Sequence, residues 1–152
     1  MRTFVVLLGI TIAAASAPAE EKGKSLQLNS LPAAVQKTIQ DNLKGAEIKT
    51  IGKEKEDGVE QYEVETMLNG KSRDFNVDIK GNLLVVEEAS TIDAVPAAAK
   101  AAILKKIADG KITSIETVTK PGQPSMYEAA YTAKNGKKHE FLVKADGTEV
   151  KD

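Results

Sequence analysis

Apolar positions recur four residues apart in two stretches of this chain. Leu31, Val35, Ile39 and Leu43 form one stripe, and Val95, Ala99, Ile103 and Ile107 form the other. That spacing places each set on a single helical face. Ser30 is suited to cap the first helix, Pro32 to sit in its first turn and Gly45 to end it. Asp93 and Gly110 take the capping and stopping roles for the second. After each stripe the period changes to two, the period of a half-buried strand. Strands are expected over 47–54, 59–68, 71–79 and 83–88, and again over 111–119, 125–133, 137–144 and 148–151.

The turns set the register. Asn69-Gly70 between alternating runs is a two-residue hairpin signal. It pairs Leu68 with Lys71, Val64 with Phe75 and Tyr62 with Val77, so apolar partners share a face. A second hairpin, YEAAYTAKNGKKHEFLVKADG, echoes YEVETMLNGKSRDFNVDIKG with one residue more before its Asn-Gly. A three-residue loop over Lys134-Asn135-Gly136, with Gly136 left-handed, keeps Tyr127 and Tyr131 on the face of Phe141 and Val143. The echo runs through the chain. Leu31-Pro32-Ala33-Ala34 aligns with Val95-Pro96-Ala97-Ala98, Ile48 and Ile51 with Ile112 and Ile115, and Gly81 with Gly147. Two copies of one supersecondary unit are therefore expected, over 30–92 and 93–152.

The first residues read differently. A short positive start, an apolar run from Phe4 to Ala15 and the small residues Ala17-Pro18-Ala19 make the pattern of a secretory signal peptide cleaved after Ala19. Residues 20–29 are then a linker. The apolar run is too short to span a membrane, and no Cys follows it to take a lipid, so no membrane anchor is expected after cleavage. The chain has no cysteine at all, which excludes disulfides, zinc–thiolate sites and a thiol nucleophile. An exported domain of this kind rests on its apolar core. Its destination is periplasmic or secreted.

Net charge is −1 over 152 residues, so no nucleic-acid footprint is visible. The halves differ: residues 31–93 carry 8 basic and 13 acidic side chains, residues 94–152 carry 10 and 7. On the face away from the helices the alternation places Glu63, Glu65, Asp74, Asn76, Asp78, Leu83, Val85 and Glu87. Glu65, Asp74 and Glu87 fall opposite one another on three strands. Like charges directly opposite cost stability. The row is open to three readings: a solvated face screened by salt, with Arg73 and Lys71 near by, a divalent-cation site at Glu65, Asp74 and Glu87, or a patch for a basic partner. In the second half the same face carries Glu128, Glu140, Leu142, Lys138 and Lys144, so it runs from acidic to mixed. The candidate binding surface is Glu63, Glu65, Asp74, Asp78, Glu87, Lys138 and Lys144, with no catalytic residue and no required cofactor.

Catalysis has little to build on. His139 is the single imidazole, on a strand beside Tyr131. One His and no Cys do not make a zinc centre. No phosphate-cradling glycine loop or nucleophile elbow occurs. The pair Glu65/Asp74 would need a cleft for acid–base work.

The stretches LPAAVQKTI with YEVE…NGK…FNVDIKGNLL, and VPAAAKAAI with YEAAY…NGKKHEFLVKADGTEV, resemble the PepSY-like group of exported bacterial domains and its β-lactamase-inhibitor-protein-like tandem branch. The resemblance covers about 30–152. It implies an α+β fold: a tandem repeat of a helix plus a four-stranded antiparallel meander, with both helices on one face of a curved sheet and the other face bare. It also implies a binding or inhibitory module outside the cytoplasm, whose partner is an envelope or extracellular protein or peptide. The five aromatics after the leader all alternate toward the helices, so the bare face lacks the Trp and Tyr anchors of tight protein interfaces.

Overall fold

The computed structural model describes residues 25–56 and 58–151. The expected leader lies outside the described residues. Helices α1 (Ala33–Leu43) and α2 (Ala97–Ile107) join seven strands: β1 (Glu47–Glu56), β2 (Val59–Leu68), β3 (Lys71–Asp78), β4 (Leu83–Ala89), β5 (Lys111–Thr119), β6 (Met126–Thr132) and β7 (Lys138–Lys144). All seven form one antiparallel sheet in chain order. The molecule is α+β, with two helices on one face of an open sheet.

The helices follow their apolar stripes. Val35 and Ile39 of α1, and Ala99 and Ile103 of α2, are wholly buried. Leu31, Val35 and Ile39 pack with Ile51, Tyr62, Val64, Phe75 and Val77. Val95, Ala99, Ile103 and Ile107 pack with Ile115, Ala129, Tyr131, Phe141 and Val143. The expected caps are not used. Pro32 and Pro96 occupy the N-cap positions in extended conformation. Ser30 donates instead to the carbonyl of Gln27, and Asp93 pairs with Lys100. A short 3-10 turn before each proline diverts these side chains from the first helical turn. The carboxyl end of α1 gains a partner from the sheet: the guanidinium of buried Arg73 donates to the carbonyl of Asn42 at 2.6 Å and to Glu88 at 3.0 Å. Arg73 thus lies on the helix side, away from the acidic row it was expected to stand near.

Both hairpins have the expected register. Val64 pairs with Phe75 and Tyr62 with Val77. Ala129 pairs with Phe141, Tyr127 with Val143 and Tyr131 with His139, and Gly136 is left-handed. A bulge between Ile48 and Thr50, and another between Ile112 and Ser114, interrupt β1 and β5. Ile48 and Ile51 are three apart, as are Ile112 and Ile115, and straight strands would send them to opposite faces. The extra residue returns each pair to its helix-side core. A third irregularity, between Asn76 and Val77, turns Leu83 toward the α1 core and away from the bare face expected for it. Residues 148–150 make one bridge, Val143 to Glu149, in place of an eighth strand. Lys144 and Val150 donate across that edge, to the carbonyls of Thr148 and Leu142.

Gly81 and Gly147 dock the helices on the sheet turns. A Cβ on Gly81 would lie 2.8 Å from backbone and side-chain carbons of Ala34, and one on Gly147 would lie 2.8 Å from the carbonyl oxygen of Ala98. Both also have positive φ, which a side chain disfavours. Thr38 fastens the first contact by donating to the carbonyl of Gly81.

Candidate functional site

No described helix lies on the second face of the sheet. Alternation on β4, β5 and β6 brings Val85, Glu87, Glu116, Val118, Met126 and Glu128 to it. Val85, Val118 and Met126 form a third apolar cluster, with Leu142 and Val150 packed against it. The join between the halves runs through this cluster, because β4 pairs directly with β5: Glu87 faces Val118, and Ala89 faces Glu116. Glu116 in turn faces Glu128 across β5–β6, and Val118 faces Met126.

Three carboxylates are therefore held beside apolar side chains. Glu87, Glu116 and Glu128 are only 4 %, 6 % and 6 % exposed. Burial, followed by the charges of Glu128, Glu116, Asp74 and Glu63, pushes the Glu87 carboxyl up to about 8. Burial, with Asp74 and Glu140 near by, also raises Glu116. Glu87 Oε1 is shielded from solvent and has no hydrogen-bond partner. A buried acceptor left unpaired costs free energy.

The expected row is only partly this cluster. Asp74 does face Glu87 across β3–β4. Burial raises its carboxyl, partly offset by the Thr66 amide, which donates to it at 2.7 Å, while Glu65 raises it further. Glu65 accepts from the Thr50 hydroxyl at 2.6 Å and is not among the charges acting on Glu87. Glu63 is, from β2. Asp78 is engaged in the β3–β4 turn, where it accepts from the Lys80 and Asn82 amides and the Asn82 side chain. Burial acts to raise its carboxyl, but the bonds from Asn82 and Lys80 outweigh it and leave it lowered. Lys138 and Lys144 are exposed at the β7 margin, opposite Thr132 and Met126. The acidic character thus continues past the join, and the basic residues form a rim. Glu116 was absent from the sequence reading. Its signal was available: it stands two residues from Val118 on a strand whose bulge lies earlier. Among the described residues no group of three or more Asp, Glu or His side chains is placed to hold a metal ion, and no helix is long and apolar enough to cross a membrane. His139 is exposed and stacks on Tyr131, ring centroids 5.4 Å apart.

Comparison with known proteins defines the class through the fold. No family model matches the sequence, and no curated protein matches it. Solved structures do. A BLIP-like protein from Bacteroides fragilis is 19 % identical with a TM-score of 0.59, over 79 % of this chain and 83 % of that one. A DUF2874 family protein from Bacteroides uniformis is 19 % identical with a TM-score of 0.64, over 79 % and 86 %. A Bacteroides eggerthii protein, provisionally described as periplasmic, is 18 % identical with a TM-score of 0.65, over 80 % and 86 %. The chain shares the fold of BLIP-like and DUF2874 proteins.

Proposed function

We propose that this protein is an exported, non-catalytic binding module that recognises a protein or peptide through the face of the sheet opposite its helices. The observation that carries this reading is the asymmetry of the sheet. One face is covered by α1 and α2, while no described helix lies on the other, where Val85, Val118 and Met126 are buried among Glu87, Glu116 and Glu128 and where Lys138 and Lys144 are exposed at the margin. The reading is one of two PepSY-like units side by side, supported by the matched contacts Gly81–Ala34 and Gly147–Ala98. The leader pattern, together with the provisional description of one structural neighbour, supports a periplasmic or secreted location.

The test is capture of partners from an envelope extract. Wild-type protein and a helix-side variant, Lys37→Glu, should retain the same partner, and Glu65→Lys combined with Lys144→Glu should lose it. Capture that survives on the face variant and fails on the helix variant would move the working surface to the other side. A second reading, divalent-cation binding by Glu65, Asp74 and Glu87, has in its favour the unpaired oxygen of Glu87. It requires a rise in melting temperature with millimolar Ca²⁺ or Mg²⁺, because a ligand bound only by the native state must stabilise it.

A further inference from the structure

One reactive tripeptide occurs in both hairpins. Asn69-Gly70-Lys71 closes β2 on β3, and Asn135-Gly136-Lys137 closes β6 on β7. In an Asn-Gly pair the glycine amide nitrogen can reach the asparagine Cγ and close an imide ring, and no glycine side chain stands in its way. The tripeptides are identical, so a difference between the two sites comes from the fold.

The turns hold the reacting atoms differently. Asn69 and Gly70 both have positive φ, 52° and 78°, as a two-residue hairpin turn requires. Both residues are exposed. Among the described residues, neither the Asn69 side-chain amide nor the Gly70 N–H has a hydrogen-bond partner. The second turn is bonded at the same atoms. Gly136 N–H donates to the carbonyl of Ala133 at 2.9 Å, and Lys137 N–H donates to Asn135 Oδ1 at 3.0 Å. Ala133 N–H donates in turn to the carbonyl of Lys137 at 2.8 Å. Ring closure at Asn135 must break the bond that holds its side chain and the bond that holds the glycine proton. The latter bond also favours the neutral amide over the anion that attacks. Crowding does not separate the sites, since a Cβ at Gly70 or at Gly136 would meet nothing within 4 Å.

We propose that Asn69 is a modification site of the folded protein, converted to aspartate and isoaspartate through an imide with Gly70, and that Asn135 is protected by its own turn. The Gly70 nitrogen gives its proton to solvent base and bonds to Cγ of Asn69. The Cγ–Nδ2 bond breaks, and Nδ2 takes up a proton and leaves as ammonia. Water then adds to one of the two imide carbonyls. Opening at Cγ gives aspartate, which suits the same turn. Opening at the main-chain carbonyl gives isoaspartate, which lengthens the main chain at the turn that sets the β2–β3 register. Either product adds a carboxylate to this end of the sheet.

The test is incubation of the intact protein at mildly alkaline pH, followed by peptide mapping that separates aspartate from isoaspartate at each site. A parallel sample is held unfolded in guanidinium chloride. In the folded protein Asn69 should be lost about tenfold faster than Asn135, the factor expected when one site must break two hydrogen bonds that the other does not have. In the unfolded sample the two rates should converge. Loss of Asn69 at a rate equal to or below that of Asn135 in the folded protein overturns the proposal. A tenfold difference that persists in guanidinium also overturns it, because the turns would then not set the rates. So does a folded protein that loses neither asparagine while the unfolded sample loses both.

Discussion

Glu87 shows how one position can oppose the fold it belongs to. With its carboxyl raised to about 8 by burial and by Glu128, Glu116, Asp74 and Glu63, the folded chain holds a proton that the unfolded chain has released above the ordinary carboxylate range. Between those two values the native state binds more protons than the unfolded state, so stability falls as pH rises and levels off above about 8. The slope from this one group approaches about 1.4 kcal/mol per pH unit at its steepest. Glu87→Gln should flatten it and leave the protein more stable than wild type at alkaline pH, by an amount on the order of a few kcal/mol. Urea unfolding at a series of pH values measures both. A wild-type stability that does not fall between about pH 5 and about pH 8 would contradict the raised carboxyl. The Asp74–Glu87 opposition was legible in the sequence, because the Asn69-Gly70 turn fixes β2 on β3. The nearness of Glu116 and Glu128 to Glu87 was not. Their approach to Glu87 depends on β4 pairing with β5, and no local residue pattern specifies that pairing.

At the scale of the elements, the helices are held by stripe and turn together. Gly81→Ala and Gly147→Ala each place a Cβ 2.8 Å from the first turn of a helix as well as at positive φ. Gly70→Ala and Gly136→Ala meet only the φ penalty, since nothing lies within 4 Å of either. The hairpin variants should lose about 1 kcal/mol. The docking variants should lose clearly more, in the range of about 1–3 kcal/mol added by overpacking. Denaturant midpoints of the four variants decide the order, and equal losses would remove the docking role. The stripes, the hairpin registers and the adjusted Lys134–Gly136 loop could all be read from period and turn chemistry. The bulges in β1 and β5 could have been, since isoleucines three apart do not fit a straight strand. The caps could not. Ser30 and Asp93 have the right chemistry, but prolines at the N-cap and the turns before them carry those side chains elsewhere.

For the whole molecule the deciding feature is the β4–β5 join. The helix-side cores of the two halves are separate clusters, while Val85, Val118 and Met126 bridge the halves on the opposite face. With pairs from Val86–Thr119 to Ala89–Glu116 added to that cluster, the chain should unfold in one transition. Hydrogen exchange of amides in β2 and in β6 should give the same opening free energy in urea. Two separated transitions would mean that the halves are independent and the join is weak. The same join makes the second face of the sheet one surface spanning both halves.

The sequence by itself determined the two helices, the alternating strands and their tight turns, because these follow from residue spacing and backbone preference over short distances. It also determined which face carries aromatic and aliphatic bulk and which carries charge. Tertiary structure decided how far apart the charges are, which of them are buried, and where the cations go. Arg73 is drawn to the end of α1, Asp78 is taken up by a turn, and Glu87, Glu116 and Glu128 are buried on neighbouring strands. Those outcomes depend on long-range pairing and on desolvation, which no stretch of sequence contains by itself.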